Sequence, residues 1–290
     1  MTAVAAPILQ RSSGRARVVF RRHGGATRLA DLYQEGSAKV RLPKTYDGPP
    51  EAVLLNTSGG LTDGDRLEQT VTVEAGATAV VTTQACEKVY RARGHEPAHV
   101  RNTLHVGADA RLLWMPQETI LYANGRLDRR LDVHIAPGGR LLLCEGGILG
   151  RAAMGEVPDE GLLRESWDVR ADGRLVFAER ASIGGTKEND LRRTTLGTAT
   201  LGGGAAFATV LLAAPGDDDL IARAVTRARD AVEGSDATAG ISGWDGRLVA
   251  RLVAPGGQAL RRTLVPLLEA LAAEVRDLSA PTRLPKVWAI

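Results

Sequence analysis

The chain has 290 residues, of which 44% are hydrophobic and 24% are charged, a composition typical of an ordinary globular protein. Glycine (33) and proline (13) mark a chain rich in turns, and only 4% of the residues are aromatic, so we expect a core built mainly from Val, Leu, Ala and Ile. The net charge of +3 is too small to indicate a polyanionic partner. No stretch approaches the roughly 18 apolar residues of a membrane-spanning helix, and the N-terminus lacks the apolar segment of a secretory signal. We therefore predict a cytoplasmic protein with no membrane partner.

The first 46 residues are strongly basic, with nine Lys or Arg and only two Asp or Glu. Nucleic-acid-binding modules usually interleave such residues with aromatic side chains that stack on bases. Only Phe20, Tyr33 and Tyr46 are nearby. We favour a solvated Arg-rich edge or a docking face for an acidic protein, and expect no nucleic-acid partner. A basic nucleic-acid adaptor is the less favoured alternative, and it would bind with a steep salt dependence.

A short hairpin pattern recurs through the middle of the chain. In each copy an alternating apolar segment leads into a Gly, Asp or Pro turn and then into a second apolar segment, which is the signature of a β-hairpin. The copies span residues 72–81, 104–113, 133–142 and 167–176, with a weaker fifth around residues 245–246. A period of about 30 residues is typical of stacked layers that share one core. The sequence thus predicts a mainly β fold, layered or solenoid-like, built from stacked hairpins.

Aligning the four copies on their turns places Thr83, Pro116, Glu145 and Glu179 at equivalent positions, just beyond the second apolar segment. In stacked layers these residues would form a column at one end of a sheet. Carboxylates in such a column must be solvated, paired or bound to an ion. Strand ends that simply reach solvent explain the same pattern at least as well.

Two helices are predicted near the C-terminus, over residues 217–233 and 258–276. The first is amphipathic and begins with aspartates at 217–219 that can cap it and favour its dipole. The second has a leucine stripe, within which Pro266 predicts a kink or a new first turn. Such a stripe usually packs on the protein's own core, and a partner-facing role is the alternative. We treat residues 1–290 as one β-rich domain.

Motifs of several common enzyme chemistries are missing, including a phosphate loop and a nucleophile elbow. Cys86 and Cys144 lack the spacing of a zinc site. His95 and His99 have the spacing of a helical metal pair, but Pro97 lies between them and their flanks resemble a turn and a strand. Few imidazoles and thiolates, beside many carboxylates, suit the transient passage of nickel or copper better than its storage.

The segment with the most polar residues and glycines is residues 56–65, which follows an apolar run and precedes the first hairpin. Asp63 and Asp65 alternate in it, so in an extended segment their side chains share one face. An Asp-Gly turn without further function is the alternative interpretation.

Five blocks of sequence in the first half of the chain form a recognisable set: GAT at 25–27 with Leu29, SGGLTDGD at 58–65 with Leu67, VTTQACEKVYR at 81–91, WMPQETI at 114–120 and LGRAAMGE at 149–156. They resemble the UreD (or UreH) family of urease accessory proteins, which act in nickel insertion into urease. Together and in this order they are highly specific, whereas beyond residue 180 the resemblance is reduced to LPKVW at 284–288. Cys86 departs from the small residue usual in the family, so its thiol does not indicate a family metal ligand.

The resemblance implies a layered β fold and a scaffold that is not an enzyme. Family members bind apo-urease and the accessory protein UreF, which recruits the GTPase UreG, and they are thought to conduct nickel through an internal tunnel. We expect no tightly bound cofactor but nickel in transit, and a dimer of the accessory complex is compatible with this role. The resemblance assigns tunnel-type polar positions to Asp63, Asp65, Thr82, Thr83, Glu118 and Glu156, to which the column adds Glu145 and Glu179.

The main alternative function is a β-solenoid carbohydrate-active enzyme that uses paired carboxylates. It would need two carboxylates roughly 5–9.5 Å apart beside an open sugar cleft, usually with aromatic platforms. The tryptophans at 114, 167, 244 and 288 are scattered along the chain and do not suggest such a cleft.

Overall fold

Two β-sheets face one another, and two long helices cover the outer face of one of them. The computed structural model describes residues 10–45, 48–151, 154–156, 159–185, 191–276, 278 and 283–289. Sheet A contains β1 (Ser13–His23), β2 (Ala26–Gly36), β5 (Arg66–Val73), β8 (Ala98–Val106), β11 (Arg126–Ile135), β13 (Leu162–Ala171) and β14 (Arg174–Gly184). Sheet B contains β3 (Ala38–Arg41), β4 (Glu51–Asn56), β6 (Thr78–Thr83), β7 (Glu87–Val89), β9 (Arg111–Met115), β10 (Thr119–Leu121), β12 (Arg140–Leu149), β15 (Ala206–Ala213), β16 (Thr238–Trp244) and β17 (Arg247–Ala254).

Successive layers of the fold each add one strand to a sheet, and most of the strands that become neighbours in this way run parallel. Sheet A has the order β14-β13-β11-β8-β5-β1-β2, and β1, β5, β8, β11 and β13 pair in parallel within it. Sheet B has the order β16-β17-β15-β12-β9-β6-β4-β3, with β4, β6, β9 and β12 in parallel. Antiparallel strands complete both sheets at their edges. The predicted mainly β, solenoid-like layering is confirmed.

The predicted hairpins are nevertheless wrong for the first three copies of the repeat. In each of these the first strand belongs to sheet A and the second to sheet B, so the turn carries the chain across the sandwich. Only the copy at residues 167–176 and the weaker copy at 245–246 are antiparallel hairpins. The error has a physical reason, because two apolar segments around a Gly or Asp turn can bury their faces either side by side or against each other.

The short turns stack on one another with little room to spare. Gly76 donates its backbone N–H to Ala108 O (2.8 Å), and Asp109 in turn donates to Pro137 O (3.1 Å). A Cβ added to Gly107 would lie 2.7 Å from the backbone nitrogen of Ala75. The layers are therefore held at backbone contact at this end of the sandwich.

The interior has two apolar layers. One lies between the sheets and contains the fully buried Trp114 and Trp167. The other lies between sheet B and the helices and contains the fully buried Trp288. Side chains therefore alternate along the central strands of sheet B between the two layers, as the period of a strand requires.

The two predicted C-terminal helices are confirmed to within one residue at each end. A short helix α1 (Leu191–Leu196) precedes them, followed by α2 (Asp218–Val232) and α3 (Gly257–Val275). Asp217 caps α2 by accepting the backbone N–H of Leu220 (3.0 Å). Helix α3 continues through Pro266, and its leucine stripe is buried against sheet B, so the stripe packs on the protein's own core and does not face a partner.

The stacking of the turns predicts that substitution by alanine changes the free energy of unfolding very differently at two glycines. Neither glycine has a left-handed backbone conformation. Gly107→Ala should lower the free energy of unfolding by about 2 kcal/mol, because the new methyl group collides with the neighbouring backbone. Gly240→Ala in β16 is the matched control, since nothing lies within 4 Å of its added Cβ. Urea unfolding of both variants measures the difference, and equal stabilities would contradict the close stacking of the turns.

Candidate functional site

The connections that return the chain from sheet B to sheet A all lie at one end of the sandwich, opposite the short turns. They are residues 57–65, 84–97, 116–125 and, in its described parts, 150–161. We call this the long-loop end. These loops hydrogen-bond to one another through their backbones, for example from Leu61 N to Lys88 O (2.7 Å) and from Ala92 N to Asn124 O (3.0 Å). The layered order of the strands therefore continues into the loops.

Six of the eight predicted site residues belong to the long-loop end or to the strand end beneath it. They are Asp63, Asp65, Thr82, Thr83, Glu118 and Glu156. Glu145 lies inside the sandwich on β12, and Glu179 lies on β14 at an edge of sheet A.

Asp63 and Asp65 are buried and hold the first loop in place. Asp63 accepts the Arg11 guanidinium (2.9 Å) and the backbone N–H groups of Arg93 and Gly94 (3.2 Å each). Burial raises the pKa of the Asp63 carboxyl, but these hydrogen bonds and the Arg11 charge outweigh it and leave the pKa below its usual value. Asp65 accepts the backbone N–H of Ser12 (2.7 Å). Both aspartates thus have structural partners.

Glu156 has a similar role in the last long loop. Its carboxylate pairs with Arg151 (2.8 Å) and accepts the backbone N–H of Ala123 (3.2 Å). The hydrogen bond from Arg151 is the main reason that the pKa of Glu156 lies below its usual value.

Glu118 is the centre of a buried polar group that we call the Glu118 cluster. Its carboxylate is only 1% exposed and accepts hydrogen bonds from Nε of Arg261 on α3 (3.1 Å) and from the Cys86 thiol (3.4 Å). The neighbouring Gln117 donates its backbone N–H to the Thr83 hydroxyl (2.9 Å) and accepts a hydrogen bond from Arg261. The cluster therefore joins the ends of β6 and β9 to the helical layer.

The C-terminal segment closes this cluster from one side. The Trp288 indole donates to the Thr82 hydroxyl (3.1 Å) and to Met115 O (3.0 Å). The Gln117 amide donates to Val287 O (2.8 Å). Thr82 therefore faces the helical layer, and its hydroxyl is occupied by Trp288.

A cavity of about 240 Å³ opens beside the Glu118 cluster. Its polar lining includes Thr83, Cys86, Glu87, Asn56 and the buried Gln69 of sheet A, so it extends inward between the sheets. Burial raises the pKa of Glu87, and Asn56 donates to its carboxylate (3.3 Å).

Deeper in the sandwich lies an arginine between two glutamates, which we call the Arg129 cluster. Arg129 of sheet A lies 2.7 Å from Glu145 of sheet B and donates to Glu165 on the adjacent strand. Trp114 donates its indole N–H to Glu145 (3.1 Å). Burial raises the pKa of Glu145 to about 7, Glu165 adds to the rise, and the Arg129 charge opposes it. The Arg129 charge lowers the pKa of Glu87, in the cavity wall, against the larger effect of burial.

Arg129 and Glu165 are not among the predicted site residues, although the sequence contains a signal for both. Arg129 lies between Leu127 and Leu131 on the inward face of its strand, and Glu165 holds the matching place on β13. A charged residue at a core position of an alternating strand is costly unless it is paired. Each charge therefore predicted a buried partner.

The predicted column of Thr83, Pro116, Glu145 and Glu179 is correct for its three members in sheet B. Val81, Trp114 and Leu143 are aligned across β6, β9 and β12, so the positions two residues further on form one row. That row contains Thr83, Pro116 and Glu145. The inclusion of Glu179 was wrong, because β14 pairs with β13 in sheet A, where Glu179 lies opposite Trp167 and binds Arg251 of β17.

Comparison with known proteins identifies the family. A model of the UreD urease accessory protein family matches residues 12–289. The chain belongs to the UreD family. A protein of Rhizobium leguminosarum bv. viciae named urease accessory protein UreD is 44% identical over 289 residues, which is 99% of each chain. Its namesake in Sinorhizobium medicae (strain WSM419) is 41% identical over the full length of both chains, and the one in Agrobacterium fabrum (strain C58 / ATCC 33970) is 42% identical over 96% of this chain and 92% of that one.

These relatives are named as accessory proteins, and the predicted resemblance to UreD is confirmed over nearly the whole chain. The site of this UreD-family member does not favour the carbohydrate-active alternative. Its interior carboxylate pair, Glu145 and Glu165, is enclosed between the sheets and shares Arg129.

Metal-ligand geometry is sparse in the part of the chain that the structure describes, where no three His, Cys, Asp or Glu residues form a group able to hold an ion. The turn and strand expected around His95 and His99 are confirmed, because His95 lies in a loop and His99 on β8, so the two do not form a helical metal pair. In the basic N-terminal region, Arg15 and Arg17 pair with carboxylates of sheet A, and Arg21 pairs with Glu74 immediately after β5. No described helix is both long and apolar enough to cross a membrane.

The raised pKa of Glu145 predicts a pH dependence of stability. The folded protein holds this proton more tightly than the unfolded chain, so its contribution is complete below about pH 4.5 and is lost as the pH rises through about 7. Between pH 5 and pH 8 the wild type should lose about 2 kcal/mol more unfolding free energy than Glu145→Gln. Urea unfolding at both pH values tests this, and parallel losses would show that Glu145 titrates normally.

The Cys86 thiol should react slowly. Burial, and secondarily the Glu118 carboxylate, raise its pKa to about 11. Alkylation by iodoacetamide at pH 8 should therefore be far slower than that of free cysteine, and Glu118→Gln should accelerate it. Peptide mass spectrometry separates Cys86 from the buried Cys144. An unchanged rate in the variant would contradict the influence of Glu118.

Proposed function

We propose that this protein is a maturation factor for urease, which binds apo-urease and the accessory protein UreF, and UreG through UreF, and which helps to pass nickel to the urease active site. Membership of the UreD family supports the role in urease maturation. The proposal includes a cytoplasmic location, no catalytic step of its own, and the use of the protein in a dimeric accessory complex.

The observation that best supports nickel passage is the polar interior at the long-loop end of an otherwise apolar sandwich. Buried polar side chains are costly and need partners or a function. Thr83 and Glu87 line the cavity, and Glu145 of the buried Arg129 cluster lies in the same row of sheet B as Thr83. In this proposal these oxygen donors form the route of a divalent cation into the molecule.

In this proposal nickel is cargo and is held weakly at each step. Oxygen ligands bind Ni²⁺ less tightly than imidazole or thiolate, so the ion can leave as well as enter. Glu118 and Glu145 already pair with arginines, whose charge competes with the ion and weakens its binding further. Thr83, Glu118 and Glu145 are the favoured contacts, because they lie at the cavity, in the cluster beside it and in the row of sheet B that contains Thr83. Asp63, Asp65, Thr82, Glu156 and Glu179 are weaker candidates, because their present contacts hold loops, the C-terminal segment or a sheet edge together.

The maturation role predicts that urease depends on this chain. A cognate urease should be co-expressed with its other accessory proteins and nickel, with and without the chain, and its activity and nickel content measured after purification. Nickel-loaded, active urease is expected only when the chain is present. Equal nickel and activity in both preparations, with the chain expressed and folded, would reject the role.

The relay predicts a separate effect of Glu118. Glu118→Gln keeps the size of the side chain but removes its charge, so urease nickel content should fall several-fold while apo-urease is still captured. Glu68→Gln is the matched control, because Glu68 also pairs with an arginine but lies on the exposed face of sheet A. Full nickel loading with Glu118→Gln would reject the relay and leave the scaffold role intact.

A further inference from the structure

Two histidines lie side by side on the outer face of sheet A, at the short-turn end of their strands and therefore away from the long-loop end. His105 of β8 and His134 of β11 are directly in register on adjacent parallel strands. Their rings are stacked, with centroids 5.1 Å apart and planes that differ by 14°. The helices pack on sheet B, so this face of sheet A is open, with His134 exposed and His105 half-buried.

This spacing matches that of two imidazoles on one metal ion. With about 2.1 Å from the ion to each nitrogen, two neighbouring ligand rings have centroids about 4.6–5.2 Å apart. The stacked rings have nearly parallel planes, so one ring must rotate before both nitrogens point at the same ion. The exposed His134 has room to do so, while the register of the two strands already fixes the separation of the pair.

We propose that His105 and His134 form a two-histidine binding site for a late first-row divalent cation, Cu²⁺, Ni²⁺ or Zn²⁺, on the outer face of sheet A. Imidazole is a preferred ligand of these ions, and water would complete the coordination. The site is separate from the candidate nickel path and does not depend on the proposed function.

The surroundings of the pair keep it available to a cation at neutral pH. A histidine must be neutral to bind a metal. Burial lowers the pKa of His105, and the neighbouring His134 lowers it further. Arg170, in register with His134 on β13, donates to Asp168 (3.3 Å), so its charge is partly balanced. On the other side, His105 has the uncharged Thr72 as its neighbour in β5.

Metal titration of the full chain, purified without a polyhistidine tag, tests the proposal. Isothermal titration with Cu²⁺, Ni²⁺ and Zn²⁺ salts at pH 7.5 should reveal one site lost in part by His105→Gln and by His134→Gln, each weakening binding by roughly tenfold or more. His95→Gln is the matched control, because His95 is exposed and lies in a loop, and it should leave the affinity unchanged. Circular dichroism checks that each variant is folded.

Three outcomes would overturn the proposal. Folded wild-type protein that binds none of the three ions has no such site. An affinity lost with only one of the two variants indicates a single surface histidine. An affinity lost equally with His95→Gln indicates unspecific binding. Because these measurements use the isolated chain, their failure is distinguishable from a failure of urease maturation in co-expression.

Discussion

Parallel pairing between successive layers determines where the polar residues of this molecule meet. A parallel neighbour cannot be reached through a tight turn, so the chain crosses to the opposite sheet and returns by a longer connection. Because this crossing is repeated in the same direction, the short turns accumulate at one end and the long loops at the other. Residues about 30 positions apart in sequence, such as Thr83 and Gln117, thereby come within hydrogen-bonding distance.

Arginine is the second recurrent element, because it pairs with most of the candidate carboxylates. The pairs are Asp63 with Arg11, Glu118 with Arg261, Glu145 with Arg129, Glu156 with Arg151 and Glu179 with Arg251. Removing charges from water is expensive, and a guanidinium with several donors offsets that cost for a carboxylate. A cation in the interior would therefore compete with a resident positive charge, which disfavours tight storage.

Features with a local cause could be predicted from the sequence. The alternating apolar segments and their period gave the layers, and the aspartates at 217–219 and the leucine stripe located α2 and α3. Contacts across layers could not be predicted in the same way. Whether two segments pair in one sheet or face each other across the sandwich depends on register with other layers, which is why the hairpins were misassigned and Glu179 was placed in the wrong sheet.

In the candidate site, too, features with a local cause could be predicted and contacts across layers could not. Blocks of sequence pointed to Glu118, but its partner Arg261 comes from a helix 143 positions further along the chain, and nothing near Arg261 in sequence indicates the pairing. Arg129 and Glu165 could have been found, since each interrupts an apolar face. Their pairing with Glu145 could not have been found in this way, because it depends on which strands lie in sheet A and which in the facing sheet B.

The two interior glutamates differ in how readily they can release their arginines. The leucine stripe holds α3 against sheet B, but the Arg261 side chain remains 21% exposed and reaches Glu118 along a flexible stem. Arg129 is enclosed by the sandwich and is shared by Glu145 and Glu165, so moving it would leave buried charges unpaired. Glu118 is thus the carboxylate that can exchange its partner without disturbing the core. With a pKa of about 7, Glu145 can instead change its charge in place, by gaining or losing a proton near neutral pH.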